Sequence, residues 1–341
     1  MLSKKMLKNI LGFVLKRTYF EYCLPRNANL ILLYHRVLPS LPSGFYEPGL
    51  VVRASTLAMH LEQVRKLYEI VPLLTLTQNM NKKNGLCAIT FDDGWIDTYE
   101  IAFPILKRLK VPATVFLSTG LIGKKNPFWF DNLITLANVM IEKKSQSDFI
   151  QYFNRLFPSW NPETLTNNCI GSLIAHMKSL PSNSLEGIIS AAYCIMGIKN
   201  GHAQAIISWE HISEMERSGI TFAPHGSNHF ILPTLNRDVK REEILTPLQM
   251  LYEKGVHAIP IFSYPNGTWD EESMTLVAKG GYEGAVTTRL GYVGKRTNPF
   301  LLNRIDIHES SSNTHSMFWF RIFQSIIAGQ ESGLKASLNR T

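Results

Sequence analysis

Several protein classes are excluded by what this chain does not have. Its four cysteines are Cys23, Cys87, Cys169 and Cys194, and none sits in a C-x-x-C pair. Neither a disulfide framework nor a zinc-finger framework is supported, and unpaired thiols lean toward a reducing compartment. Cys87 lies in an apolar run and reads as a small buried hydrophobe. No apolar run reaches the roughly 18 residues of a membrane-spanning helix. Heptads, a collagen-like period, internal repeats and low-complexity tracts are all missing, which excludes a fibrous protein. Acidic residues are in short supply, 27 against 35 basic ones, for a formal net charge of +8.

That positive surplus is uneven. Residues 1–26 hold Lys4, Lys5, Lys8, Lys16, Arg17 and Arg26 against Glu21 alone, a net +5. The remainder carries only +3, too little for a nucleic-acid groove, so no nucleic-acid partner is expected. On a helix, Leu2, Met6, Ile10, Phe13 and Val14 share one face, while Lys5, Lys8, Asn9, Gly12 and Lys16 share the other. Such a pattern suits an interfacial helix at anionic lipid, and equally a helix packed on the domain with its lysines in water. The apolar stretch Ile10–Leu15 is short, runs into Lys16 and Arg17, and lacks the small-residue cleavage site of a secretory signal. The expected location is cytoplasmic, with peripheral contact at the inner face of a bacterial membrane.

The chain has 341 residues, 45% apolar and 18% charged, enough to bury a sizeable core. Apolar runs alternate with helical periods. Strands are predicted at Leu30–Tyr34, Ile70–Leu76, Leu86–Phe91, Ala113–Leu117, Ile220–Ala223, Ile259–Tyr264, Gly284–Thr287 and Leu301–Ile307. Helices are predicted between them, including one capped by Ser55 or Thr56 and running to Tyr68, and one from Asp97 to Lys110. This alternation predicts a parallel α/β architecture. Residues 124–207 break the rhythm and read as a mostly helical insertion punctuated by Pro158, Pro162 and Pro181. The expected organisation is a basic amphipathic segment at 1–28, a barrel at 29–310 with its insertion at 124–207, and a C-terminal helix and tail at 311–341. Met317, Phe318, Trp319, Ile322 and Phe323 give that last helix an apolar face wide enough to be core.

Three clusters fall at predicted C-terminal strand ends, the face on which parallel barrels build active sites. The first is Thr90-Phe91-Asp92-Asp93-Gly94. Adjacent strand-end carboxylates point different ways, so one can hold a metal while the other takes a proton. Helix capping is the plainer use of such a pair. The second is Pro224-His225-Gly226-Ser227-Asn228-His229, two imidazoles four residues apart in a loop. The third is Phe262-Ser263-Tyr264-Pro265-Asn266-Gly267, a turn by composition. Together the first two supply two His, one Asp and a spare carboxylate, the set of a catalytic zinc-type site with an open position.

In order and combination these motifs resemble the polysaccharide deacetylases of the NodB-homology type, carbohydrate esterase family 4, and within it the exopolysaccharide branch. The likeness runs from Leu32-Leu33-Tyr34-His35-Arg36-Val37 to about His308. It implies a distorted (β/α)7-type barrel that removes N-acetyl groups from aminosugars of a polysaccharide or lipid-linked glycan. It makes Asp92 the general base and Asp93, His225 and His229 the ligands of a divalent metal, zinc first, with cobalt, nickel or manganese as alternatives. The metal would polarise the amide carbonyl and hold the attacking water. The Tyr264 region would supply an oxyanion donor, His308 the acid for the leaving amine, and Arg304 would position a carboxylate. Two departures stand out: Gly226 replaces the usual Ser or Thr, with Ser227 as a substitute brace, and the third motif lacks its usual Arg. His35 is expected to be an ordinary loop histidine. Trp95, Trp129 and Trp209 are expected in the core, with sugar stacking as a second use. A deformylase or other C–N amide hydrolase, and a non-catalytic glycan-binding barrel, are the alternative functions.

Overall fold

The computed structural model describes residues 28–125, 128–199 and 205–324. The basic segment at 1–28 therefore lies outside the described residues except for Ala28, as does the tail beyond 324. Among the described residues no helix is long and apolar enough to cross a membrane.

Seven strands form a parallel barrel in the order β7 (Thr221–Pro224), β6 (Thr114–Leu117), β5 (Leu86–Phe91), β1 (Leu30–Tyr34), β10 (Leu302–Asp306), β9 (Gly284–Leu290), β8 (Ile261–Ser263). The ring nearly closes. Ile259, just ahead of β8, donates its amide to Phe222 of β7 at 2.9 Å. Beside this ring, β2 (Arg36–Leu38) pairs with β3 (Val51–Arg53), and the short β4 (Glu69–Ile70) pairs with β5.

The strands are continuous apolar runs because both their faces are covered. Side chains alternate between those faces. Ile31, Ala88, Phe116, Ala223, Ile261, Val286 and Leu302, one from each barrel strand, belong to one buried cluster that fills the barrel. Their neighbours Leu30, Leu32, Cys87, Ile89, Val115, Phe222 and Phe262 belong to a second cluster packed against the outer helices. Cys87 is thus buried, as its apolar setting predicts.

Three local expectations change. The strand predicted at Ile70–Leu76 ends at Ile70, and Leu73–Asn79 is a helix. Pro72 cannot extend the ladder, and it leads into a helix that buries Leu73 and Leu76. The helix predicted to Tyr68 spans Ala54–Val64 and draws no side-chain cap from Ser55 or Thr56. Thr56 Oγ1 instead donates to Glu309 Oε1 at 3.1 Å. The helix predicted from Asp97 opens as a π-type turn, Thr98–Ala102, and becomes α-helical at Phe103–Leu109. Asp97 itself accepts from the Val37 amide and from Arg36 Nε.

Between β6 and β7 the described residues form a group of four helices, α4 (Trp129–Glu142), α5 (Gln146–Leu156), α6 (Asn167–Met177) and α7 (Ser182–Ile195), and then the helix Trp209–Arg217 that leads into β7. They enclose their own apolar cluster around Leu133, Leu136, Phe149, Phe153, Leu173 and Met177. Residues 315–324 are helical; Met317 is buried, and Phe318, Trp319 and Ile322 join the cluster between the strands and the outer helices.

Candidate active site

Strand β5 delivers Asp92 and Asp93 at its C-terminal end. Asp92 continues the ladder by donating its amide to the Tyr34 carbonyl at 2.9 Å. The chain then turns sharply, with positive φ at Asp93 (73°) and Gly94 (73°). For a non-glycine residue such a conformation costs energy and persists where surrounding structure over-determines it. The turn separates the two carboxylates, as strand alternation predicts.

The spare carboxylate is clamped. Arg304 on β10 is fully buried and makes a two-pronged contact, Nη1 to Asp92 Oδ1 and Nη2 to Asp92 Oδ2, each 2.7 Å. Its Nε donates to the Thr287 carbonyl, and Ser263 Oγ donates to Asp92 Oδ2 at 3.2 Å. Burial alone would raise the Asp92 carboxyl, but Arg304, with His225 behind it, outweighs burial and holds it below the ordinary range. Arg304 thereby supplies from β10 the cation missing from the third motif.

The second carboxylate faces two imidazoles. His225 Nε2 lies 3.4 Å and His229 Nε2 3.3 Å from Asp93 Oδ1. The donor atoms of Asp93, His225 and His229 all lie within 4.8 Å of one another. His225 Nδ1 sits 2.8 Å from the Ser263 carbonyl, which fixes the proton on Nδ1 and leaves the Nε2 lone pair facing Asp93. Asp93 Oδ2 accepts from Trp95 Nε1 at 3.1 Å, whereas Oδ1 is buried with no hydrogen-bond partner. A buried anionic oxygen in that condition is costly, and a divalent cation would satisfy it. Burial would raise Asp93, but His229 and His225 hold its carboxyl well down. His229 itself is lowered by burial, so its imidazole favours the neutral, ligating form.

The loop holding both histidines is braced by groups the sequence did not advertise. Ser118 Oγ donates to the His225 carbonyl at 3.0 Å. Glu243, on the helix Arg237–Glu253, accepts from the amides of Ser227 and Asn228 and from Asn228 Nδ2. The brace expected of the Ser227 hydroxyl is thus provided by Glu243 acting on the Ser227 backbone. Gly226 has φ of +78°, and a Cβ there would meet Glu243 Oε2 at 3.0 Å. The loop needs glycine at that position because a side chain would strain it and press on its own brace.

A cavity of about 380 Å³ opens over these groups. Asp92, Asp93, His225 and His229 line it together, as do His35, Phe128, Trp129, Phe130 and Lys178. His35 thus lines the cavity, and its Nδ1 is buried without a hydrogen-bond partner rather than satisfied within its loop. The position of Tyr34 at the end of β1 was the available signal. Lys178 had none, because it sits in the insertion far from every motif. It donates to Asn266 Oδ1 at 2.7 Å, and burial pulls its ammonium below the usual range.

Two expected residues are not brought to the cavity. Tyr264 is buried, its ring packs near Phe262, and its amide donates to the Val286 carbonyl at 3.2 Å. That amide is committed to the sheet, and Tyr264 is not among the residues lining the cavity. His308 caps the short helix Glu309–Ser312, with Nδ1 2.8 Å from Ser310 Oγ, and does not line the cavity. Of the tryptophans, Trp129 lines the cavity, Trp95 is a buried donor to Asp93, and Trp209 packs beside Lys254.

Fold and site together define a parallel-barrel protein with an Asp-His-His cluster, consistent with a divalent-cation site, at the carboxyl ends of its strands. The polysaccharide deacetylase family model matches residues 79–155 and 182–285, more than half of the chain, and the chain belongs to that family. It is 21% identical over 284 residues to Bacillus subtilis YxkH, covering 83% of this chain and 73% of YxkH. Among solved structures it is similar to the Streptococcus pyogenes deacetylase PplD, with a TM-score of 0.55 and 19% identity over 88% of this chain and 98% of PplD. IcaB from Ammonifex degensii gives a TM-score of 0.53 and 18% identity over 86% of this chain and 97% of IcaB. At such identities these structures speak to the fold alone.

Proposed function

We propose that this protein is a metal-dependent hydrolase that removes the N-acetyl group of an amino sugar in a glycan. The observation that carries the reading is the division of labour between two adjacent carboxylates. Asp93 has an oxygen with no partner but two imidazole nitrogens, and Asp92 is held ionised by Arg304. Asp93, His225 and His229 would hold the cation, and two nitrogens with one carboxylate suit Zn²⁺. Bound there, the cation supplies Lewis-acid polarisation of the amide carbonyl and a water of lowered pKa.

The chain's own residues do the rest. Asp92 accepts the proton from the attacking water, and Arg304 with Ser263 holds its oxygens in one orientation. His35 stands in the same cavity with an unpartnered nitrogen and gives the proton that the departing amine needs. Phe128, Trp129 and Phe130 wall the cavity with apolar surface, which lowers the local dielectric on that side and strengthens these interactions. The experiment is a panel of N-acetylated and N-formylated aminosugars, scored by released acid, with Asp92→Asn and His225→Ala alongside. Acetate from the wild type, lost in both variants with metal lost only from His225→Ala, is the expected result. Formate in place of acetate would reassign the acyl group. Undiminished turnover by Asp92→Asn would remove the mechanism.

A further inference from the structure

A carboxylate offers two oxygens to a cation, and which of them it uses depends on what else holds it. Trp95 is fully buried, so its indole N–H needs an acceptor, and it donates to Asp93 Oδ2 at 3.1 Å. Asp93 Oδ1, the oxygen without a partner, is the one 3.4 Å from His225 Nε2 and 3.3 Å from His229 Nε2. The two oxygens thus have different work: Oδ2 is engaged by the indole, and Oδ1 is left for an ion.

The indole is itself held in place. Its backbone bridges to Ile206, and on either side the Ile96 amide donates to the Ala205 carbonyl at 2.8 Å and the Ile207 amide to the Gly94 carbonyl at 2.9 Å. Its ring packs on Phe128, with centroids 4.7 Å apart. Over the ring lies the Arg36 guanidinium, Cζ 4.5 Å from the centroid. Arg36 opens β2 and is kept over the ring by two carboxylates. Its Nε donates to Asp97 Oδ2 at 3.0 Å, while Asp97 Oδ1 accepts the Val37 amide at 2.8 Å. Its Nη1 stands 3.8 Å from Oδ1 of Asp131, in the first turn of α4. A guanidinium on an indole face is attracted by the electron density of the ring. It draws that density toward itself, which makes the N–H a stronger donor.

We infer that Arg36 and Trp95 are positioning residues of the metal site: the guanidinium pins the indole, the indole N–H occupies Asp93 Oδ2, and Asp93 meets the cation through Oδ1 alone. One carboxylate oxygen and two imidazole nitrogens make three protein donors, which leaves zinc a place for water and room to expand toward an amide carbonyl. A carboxylate bound through both oxygens would take one of those places. The inference rests on the proposed metal-dependent reading and says how its open positions are kept.

The test reads metal rather than acetate. The full-length protein, its Trp95→Phe and Arg36→Lys variants and the double variant are titrated with zinc against a chromogenic chelator. Trp95→Phe keeps a ring and deletes the N–H. It should weaken zinc binding by about 10–100-fold, the range for losing an outer partner of a ligand. Arg36→Lys keeps the charge, so the field on the ion changes little, but it loses the flat contact with the ring. It should cost about 10-fold alone and nothing further when combined with Trp95→Phe. An equal cost in both backgrounds is what a merely structural Arg36 would give, and overturns its assignment. Asp131→Asn, which loosens the guanidinium, takes its place in the same cycle if Arg36→Lys does not fold. Crystal structures of the zinc-loaded proteins give the second readout. In the wild type zinc should bind Oδ1 with Oδ2 still on the indole, and in Trp95→Phe the carboxylate should be rotated or bound through both oxygens. Zinc on both oxygens in the wild type, or a Trp95→Phe variant with wild-type affinity or an unmoved carboxylate, overturns the inference and leaves the hydrolase reading standing. Zinc bound as expected, with no acetate from any aminosugar, fails the hydrolase reading alone. A wild type that binds no zinc overturns both.

Discussion

At the scale of single residues, the account turns on Asp92 and its buried partner Arg304. A buried bidentate pair is destabilising when one member is removed, by about 3–5 kcal/mol, because the other charge is left without compensation. Arg304→Met should therefore lower stability by about that amount, as urea unfolding would measure. Arg304→Lys keeps a charge but loses the fork. Since the guanidinium holds Asp92 below its ordinary range, weakening it must raise the carboxyl. The base is then protonated at higher pH, so the acid limb of the pH–rate profile of Arg304→Lys should move upward. An unmoved limb would mean that Asp92 is not the group seen in the profile. His35 and His308 make a second residue-scale contrast. His35→Gln should cost about 100-fold or more in turnover with metal retained, the range for losing a positioned acid. His308→Gln should cost little. The reverse ranking would restore His308 as the acid. The sequence showed a hydrophobic-x-hydrophobic-His pattern at Ile305–His308 and an equally apolar strand before His35. Nothing in one dimension says which strand end turns its imidazole inward.

At the scale of elements, helix Ala54–Val64 is joined to β1 and to the C-terminal region through one histidine. His60 Nδ1 lies 3.2 Å from Tyr34 Oη, Nε2 lies 2.7 Å from the Ser312 carbonyl, and the ring stacks on Phe318 at 4.2 Å. Burial lowers its pKa from 6.5 to about 4, against the opposing pull of the Ser312 bond and Glu309. Between those two pH values the unfolded chain binds more protons than the native one. Stability from this residue is full above pH 6.5 and is lost as pH falls toward 4, by roughly 3 kcal/mol in all. His60→Gln lacks that slope, so the difference between the two stability curves should open across this window. Parallel curves would show that His60 does not titrate separately from folding. Gly226 is an element-scale feature too, because it lets the histidine loop close on Glu243. Gly226→Ala should cost about 1–2 kcal/mol for the left-handed backbone and should weaken metal affinity. Strand runs such as Leu86–Phe91 were legible because the barrel buries both their faces. The β4 ending was not, because an apolar run through Val71, Leu73, Leu74 and Leu76 reads alike as a buried strand or a short helix.

At the scale of the whole molecule, two cores support one site. The barrel core positions Asp92, Asp93 and the two histidines, while the helical segment has a core of its own and contributes the roof of the cavity. Phe153→Ala empties space in that second core and should cost about 3–5 kcal/mol. Faster amide exchange should appear in residues 129–195, with the strands of the barrel protected as before. Equal loosening of both would mean that the two cores unfold as one unit. The order of motifs made the barrel and its four central side chains readable in the sequence. Arg304, which the resemblance already pairs with a carboxylate, reaches Asp92 from 212 positions away, whereas Glu243 bonds the Ser227 and Asn228 amides and Lys178 bonds Asn266 from 88 positions away, and only folding reveals what those two touch. The claim beneath all of this is that Asp93, His225 and His229 bind a divalent cation. It is tested most directly by elemental analysis of the purified protein after zinc loading and desalting, with His225→Ala treated alike. The account predicts about one equivalent of zinc in the wild type and loss of it in the variant. A wild type that retains no metal, or a variant that retains as much, would contradict it.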